Sequence, residues 1–399
     1  MNFYEVIEAT KRAGPTVLDL ATGAPLLLPE VSEALAEALE GIAQSPGTPE
    51  LLGSYTHLDG VPSLVEQFVD RCSSEFGTCI TPDQIVVTPG AQAALRYIQE
   101  LVRQSGKRIM YPVDFEFPGA IDYQANDRCF GPYGSINVDQ NICLPTINFD
   151  RLDWQGVGAV CLSRPHNPTG CYWSFSAIDR LAALAAGSGA LMVLDETYAM
   201  PFAPLIANGY SPVHATNMVH VYSFSKVGLA AERVAVVVAP APIAQGLRDI
   251  QRRQIIQSPK LGQLLALALV QFFHDRPDVA NRFGEVYLER WCLFTAALGA
   301  RGLSARGIRC TEFGGGPFVW CEWRGVPSSD EIFSRLLVDG VSVAPGSALR
   351  LSPRAASGDY DGIRIGLGIA IGDLERGADR IGRLLASLDF AATAVENKP

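Results

Sequence analysis

A chain of 399 residues, 48% apolar and 19% charged, has the length for two domains and too much apolar content to be disordered. Its net charge of −10 comes with no cluster of Lys and Arg, which argues against nucleic acid or an anionic membrane surface as partner. The acidic N-terminus lacks the apolar stretch of a signal peptide, and the longest apolar run, Val234 to Ala244, is too short to span a bilayer.

Residues 1–50 are rich in Pro and Gly and have no strong period. They predict an arm that joins part of a smaller domain, with a helix at VSEALAEALEGIA. Residues 51–285 predict a large domain in which short β-branched runs alternate with helical stretches. DQIVVT (83–88) reads as a strand and AQAALRYIQELVRQ (91–104) as a helix. KRIMYPV (107–113) and GAVCLS (158–163) are strands, and SFSAIDRLAALAAG (174–187) is a helix behind an N-cap serine. ALMVLD (190–195), MVHVYSFS (218–225) and RVAVVVA (233–239) are three more strands. These continuous apolar runs predict a mainly parallel α/β sheet covered on both faces. Residues 286–399 change texture, with short strands FVWCEW, VSVAPG and GIRIGLG between helices, and predict a smaller α+β domain. Nine dispersed cysteines, none in C-x-x-C, read as thiols of a reducing cytoplasm; with five scattered histidines they predict no metal site.

Ligands of open α/β sheets sit at the carboxyl ends of the strands, so the residues after each strand matter most. Gly90, Ala91 and Gln92 open a helix whose free N–H groups suit a phosphate; the alternative is an ordinary strand–helix turn. The turn RPHNPTG aims Asn167 as an amide donor and acceptor. Asp195 ends a buried strand, where a carboxylate is costly unless paired, and Tyr198 places a phenol nearby. A buried structural network would use the same pair. Lys226 ends another buried strand and reads as a desolvated, nucleophilic amine or as the salt-bridge partner of Asp195. Asn167, Asp195, Tyr198, Lys226 and Arg233 follow one another at intervals of 28, 3, 28 and 7 residues. Pyridoxal 5′-phosphate asks for this whole set. Lys226 would form its Schiff base and Asp195 would hold its pyridine nitrogen. Asn167 and Tyr198 would face its phenolic oxygen. Gly90, Ala91, Gln92, Ser223, Ser225 and Arg233 would cradle its phosphate. Phe117, in MYPVDFEF, is the favoured ring to stack on it.

HNPTG, DETY and SFSK…GL…ER resemble the signatures of the class I/II aminotransferases, pyridoxal-phosphate enzymes of fold type I, over nearly the whole chain. Within them the chain looks most like the valine–pyruvate aminotransferase group, through CLSRPHNPTG, the spacing in SFSKVGLAAER and the order FGGGPFVW…APG. The resemblance implies a mainly parallel seven-stranded sheet in the large domain. It implies that Arg364, in DGIRIGLG, grips the substrate α-carboxylate in a bidentate way. It also implies that the Gly23 backbone lies next to substrate and that Tyr55 reaches the phosphate of the neighbouring subunit of a homodimer. Ala235, Pro317, His57 and Asp59 depart from or flank the pattern and bear on substrate choice. The implied reaction moves an amino group between an L-amino acid and a 2-keto acid, in a specialised biosynthetic pathway. The alternative is a lyase or carbon–carbon bond-forming enzyme acting at Cγ of S-adenosylmethionine through a quinonoid. A regulator carrying such a domain would need a basic helix-turn-helix ahead of it, and a catalytically dead binder would be expected to lose Lys226 or Asp195.

Overall fold

The computed structural model describes residues 1–117, 119, 128–206, 211–352 and 360–390. Seven strands form the larger sheet: β1 (Ile85–Thr88), β2 (Arg108–Tyr111), β3 (Arg128–Phe130), β4 (Val157–Ser163), β5 (Leu191–Asp195), β6 (Met218–Ser223) and β7 (Ala235–Val238). Their spatial order is β1-β7-β6-β5-β4-β2-β3, and only β7 runs antiparallel to its neighbours. Helices on the sheet explain the continuous apolar strands. Helix Ala91–Gln104, for instance, buries Ala91, Ala94, Leu95, Ile98 and Val102, a stripe of helical spacing. Six of the seven strands match the sequence reading. The short β3 was missed, as was helix Phe3–Ala13, which Asn2 and Glu5 close in a reciprocal capping box.

The parallel register brings the strand ends level. Ser163 pairs with Asp195, and Asp195 with Val221. The last residues of β4, β5 and β6 therefore open onto one edge of the sheet, where the chain leaves each strand for a loop.

A second sheet of six strands carries Tyr360–Gly366 beside Phe318–Arg324, with Arg364 opposite Trp320. The hairpin Tyr133–Asn137/Ile142–Ile147 joins this sheet through the pairing of Ile142 with Cys310, although it lies within the 51–285 stretch. Leu18–Asp19 pairs in parallel with Val341–Ser342 and ties the arm to the same region. Among the described residues no helix is long and apolar enough to cross a membrane.

Candidate active site

A cavity of about 370 Å³ opens where the strand ends meet. It is lined by Ala91, Gln92, Phe117, Asp195, Tyr198, Ser223, Ser225, Lys226 and Arg233, all read from sequence, and by Phe3, Tyr4, Thr22, Gly119 and Thr197, which were not.

Lys226 closes the 3₁₀ turn that follows β6. Its Nζ donates to the Gly23 carbonyl at 2.9 Å and sits 6.0 Å from the centre of the Tyr198 ring. Burial, then the charges of Arg364 and Arg233, pull its pKa down to about 8. Asp195 ends β5. Its Oδ1 accepts from the Thr197 N–H at 3.1 Å and the Thr197 hydroxyl at 2.6 Å, and burial raises its pKa against those two bonds. The salt bridge allowed by sequence is not made: the partner of Lys226 is a carbonyl, and that of Asp195 is Thr197.

On the opposite wall, Gly90 turns with φ of +91° into helix Ala91–Gln104 and leaves the first N–H groups of the helix open to an anion. A Cβ at Gly90 would stand 2.5 Å from Arg233 Nη2, so only glycine lets that guanidinium lie against the helix start. Arg233 itself has φ of +54°, a strained conformation for a side chain of this size. Its Nη1 donates to Ser225 Oγ at 3.1 Å, and Ser223 Oγ accepts from the Ser225 N–H. A helix N-terminus, two hydroxyls and a guanidinium thus converge within a few residues of Lys226.

Asn167 and Arg364 lie just behind the wall. Asn167 Nδ2 donates to the Tyr198 hydroxyl at 3.1 Å, and Asn167 Oδ1 accepts from Arg364 Nη1 at 2.8 Å. Arg364 Nη2 donates to the Ala21 carbonyl at 2.5 Å, while its buried Nε has no partner. The guanidinium is stacked against the rings of Phe318 and Phe3, at 4.2 and 5.1 Å, and burial lowers its pKa to about 10. Gly23 has φ of +66°, and a Cβ there would meet Phe318 at 2.4 Å.

The family model for aminotransferase class I and II matches residues 15–381. The chain belongs to that family. It is 25% identical over 346 residues to the valine–pyruvate aminotransferase of Escherichia coli K12, covering 83% of this chain and 82% of that one. The solved valine–pyruvate aminotransferase of Salmonella typhimurium LT2 superposes with a TM-score of 0.84 at 20% identity, over 96% of this chain and 98% of the other. An α-aminoadipate aminotransferase of Thermus thermophilus, solved with N-(5′-phosphopyridoxyl)-L-leucine, gives 0.75 at 22% identity, over 95% and 94%. The fold is that of the type I pyridoxal-phosphate aminotransferases, and the enzyme moves an amino group between an amino acid and a keto acid. These relatives are named for that transfer and lend nothing to the alternative at Cγ of S-adenosylmethionine.

Other residues of this aminotransferase singled out in the sequence lie around the site. Tyr55 is 75% exposed and is not among the residues lining the cavity of its own chain. Asp59 pairs with Arg252 at 2.7 Å, and His57 near it sits at φ of +55°. The glycines before Pro317 allow a close approach: Gly316 lies against the Tyr198 ring, and the Gly314 N–H donates to the Gly170 carbonyl. Ala235 is fully buried between Ser223 and Thr88 in β7. Phe3 and Tyr4 reach the cavity from helix Phe3–Ala13. Its signal was present in Asn2-x-x-Glu5, the pattern of a capping box.

Proposed function

We propose that this aminotransferase binds pyridoxal 5′-phosphate in the cavity and acts on a small L-amino acid and a 2-keto acid, with Lys226 as its reactive amine. One observation carries the reading: a half-buried lysine without a carboxylate partner, a buried carboxylate and an anion cradle face the same 370 Å³. The donor set fits the cofactor group by group. The phosphate would be held by the N–H groups of Ala91 and Gln92, the hydroxyls of Ser223 and Ser225, and Arg233. The pyridine nitrogen would face Asp195, the phenolic oxygen Asn167 and Tyr198, and the ring plane Phe117. When bound, the cofactor supplies an electron sink for the pair left when an amino acid loses its α-proton.

The chain's own groups do the rest. With its pKa near 8, Lys226 Nζ is largely protonated at neutral pH but gives up its proton readily, as a nucleophile or general base must. The Gly23 carbonyl holds that amine in place. Asp195, its pKa raised by burial, would hold the ring nitrogen, and a cationic nitrogen there would favour the carboxylate form, just as the carboxylate would favour the protonated ring. Arg364, just behind the wall with an unpartnered Nε and with Phe3 and Phe318 against its guanidinium, would take an α-carboxylate on its planar fork. The exposure of Tyr55 supports a homodimer in which each chain completes the other's phosphate site. Nine free cysteines support a reducing, cytoplasmic setting.

The visible absorption spectrum of the purified protein tests the proposal. A cofactor band should appear, borohydride should fix the cofactor on Lys226, and L-alanine or L-valine should bleach the band. Lys226→Ala should abolish both the borohydride adduct and turnover. A wild-type protein that shows no band after cofactor is added overturns the assignment.

A further inference from the structure

The geometry points to Glu116 as a positioning residue of this site, one that holds Asn167 and Phe117 in register through Ser163; this rests on the cofactor reading above. Glu116 is 3% exposed and is not among the residues lining the cavity. Its carboxyl accepts three hydrogen bonds. Ser163 Oγ donates to Oε1 at 2.6 Å, the Phe117 N–H donates to Oε1 at 2.8 Å, and the Ser163 N–H donates to Oε2 at 3.0 Å.

Each bond leads to a part of the site. The Phe117 N–H belongs to the ring assigned to the cofactor face, and that ring is hemmed in by Gly119, where a Cβ would stand 2.4 Å from Phe117 Cζ. Ser163 is the last residue of β4, paired in register with Asp195. Ser163 Oγ accepts from the Asn167 N–H at 2.9 Å. The chain of bonds therefore runs from Glu116 through Ser163 to Asn167, and from Asn167 to both Tyr198 and Arg364.

The residue type matters here. Ser163 Oγ donates its proton to Glu116 Oε1, and that bond fixes the hydroxyl rotor so that a lone pair faces the Asn167 N–H. A carboxyl offers two acceptor oxygens to three donors. A glutamine offers one oxygen, and its NH₂ would face one of these donors. His166 cannot substitute. Its Nε2 lies 3.0 Å from the Phe115 carbonyl, which requires a proton on that nitrogen, and its Nδ1 is taken by Thr169 Oγ1 at 2.7 Å.

The test uses cofactor-loaded wild type, Glu116→Gln, Ser163→Ala, the double variant and Asn167→Ala. Two readouts are taken: the pH midpoint of the visible cofactor band, and the kcat and KM for the amino donor. Glu116→Gln and Ser163→Ala are expected to move the midpoint in the same direction as Asn167→Ala, by about 0.5–1 pH unit, the equivalent of one neutral hydrogen bond. The double variant should move no further than the larger single change, because both cut one chain of bonds. The kcat/KM should fall about 10–100-fold, as misplacement of a binding group by a fraction of an ångström does. A purely structural role would lower the melting temperature and leave the midpoint in place. The inference is overturned by a Glu116→Gln protein with the wild-type midpoint and kcat/KM, or by single shifts that add in the double variant. Should Glu116→Gln not fold, Ser163→Ala decides alone, since it removes one hydroxyl from the middle of the chain. A wild type that takes up no pyridoxal phosphate overturns the cofactor reading, and this inference with it.

Discussion

Replacing Gly23 by alanine tests whether the floor of the site is as tight as its geometry indicates. Two costs apply. The backbone sits at φ of +66°, where a Cβ costs about 1–2 kcal/mol. The new methyl would also stand 2.4 and 2.7 Å from Cε1 and Cζ of Phe318. That ring cannot retreat freely, because it lies edge-on to Tyr198 at 5.7 Å and against Arg364 at 4.2 Å, and both of those are buried. Overpacking of this kind adds about 1–3 kcal/mol. Gly77→Ala is the control. Gly77 has φ of +63°, caps helix Pro62–Phe76, and has nothing within 4 Å of its would-be Cβ, so it carries the backbone cost alone. Urea unfolding of the two variants should therefore differ by about 1–3 kcal/mol, with Gly23→Ala the weaker. Its kcat/KM should also fall about tenfold or more as Phe318 pushes on Arg364, while Gly77→Ala keeps wild-type kinetics. Equal unfolding free energies in the two variants would refute the reasoning.

Arg364→Lys keeps the charge but gives up the planar fork. It should lower kcat/KM about 10–100-fold by steady-state kinetics and leave the visible cofactor band where it is. His166 is held neutral by burial, its pKa lowered to about 3 against an ordinary 6.5. Its contribution to stability is then fully present above pH 6.5 and is lost as pH falls toward 3, because the unfolded chain binds that proton first. NMR of ring-labelled protein should show the His166 ring neutral at about pH 5; a titration midpoint near 6.5 would contradict the burial argument. His166→Gln should flatten the acid limb of the unfolding free energy between pH 6.5 and the onset of acid unfolding.

The strand ends were legible because two signals coincide there: an apolar run that must be buried on both faces, and a polar residue that ends it. Asp195, Ser223 and Lys226 stand out for that reason, and the parallel register then places them on one edge. The hairpin at 133–147 was not legible. It is only half buried, it contains Pro145, and its partner strand lies more than 160 residues away in sequence, where Ile142 meets Cys310. Helix Phe3–Ala13 was hidden by its charge. Only Phe3, Val6 and Thr10 are buried on it, so its apolar stripe is narrow, and the capping pair was the stronger signal. Glu116 was read as part of an aromatic stretch, because nothing local in MYPVDFEF says that its carboxyl folds back onto the end of β4.

Asn167 is where the two sheets of the site are joined. It belongs to the turn after β4 of the larger sheet, and Arg364 belongs to the strand Tyr360–Gly366 of the smaller one. Their 2.8 Å bond spans the seam. Only an amide serves at this point. Its oxygen must accept from a guanidinium while its nitrogen donates to the Tyr198 hydroxyl, and a carboxylate would offer two acceptors and no donor. Because one side chain carries both bonds, a displacement that parts the sheets loosens the placement of Arg364 and of the Tyr198 hydroxyl together. A substrate carboxylate that settles on Arg364 also favours the arrangement in which Asn167 is correctly placed, since a ligand shifts an equilibrium only through contacts it makes better in one state. On the proposed assignment, substrate binding and assembly of the catalytic groups would be coupled through one residue. Through that coupling the bonds that fix Asn167 from behind, through Ser163 and Glu116, would bear on the reaction although neither residue is among those lining the cavity.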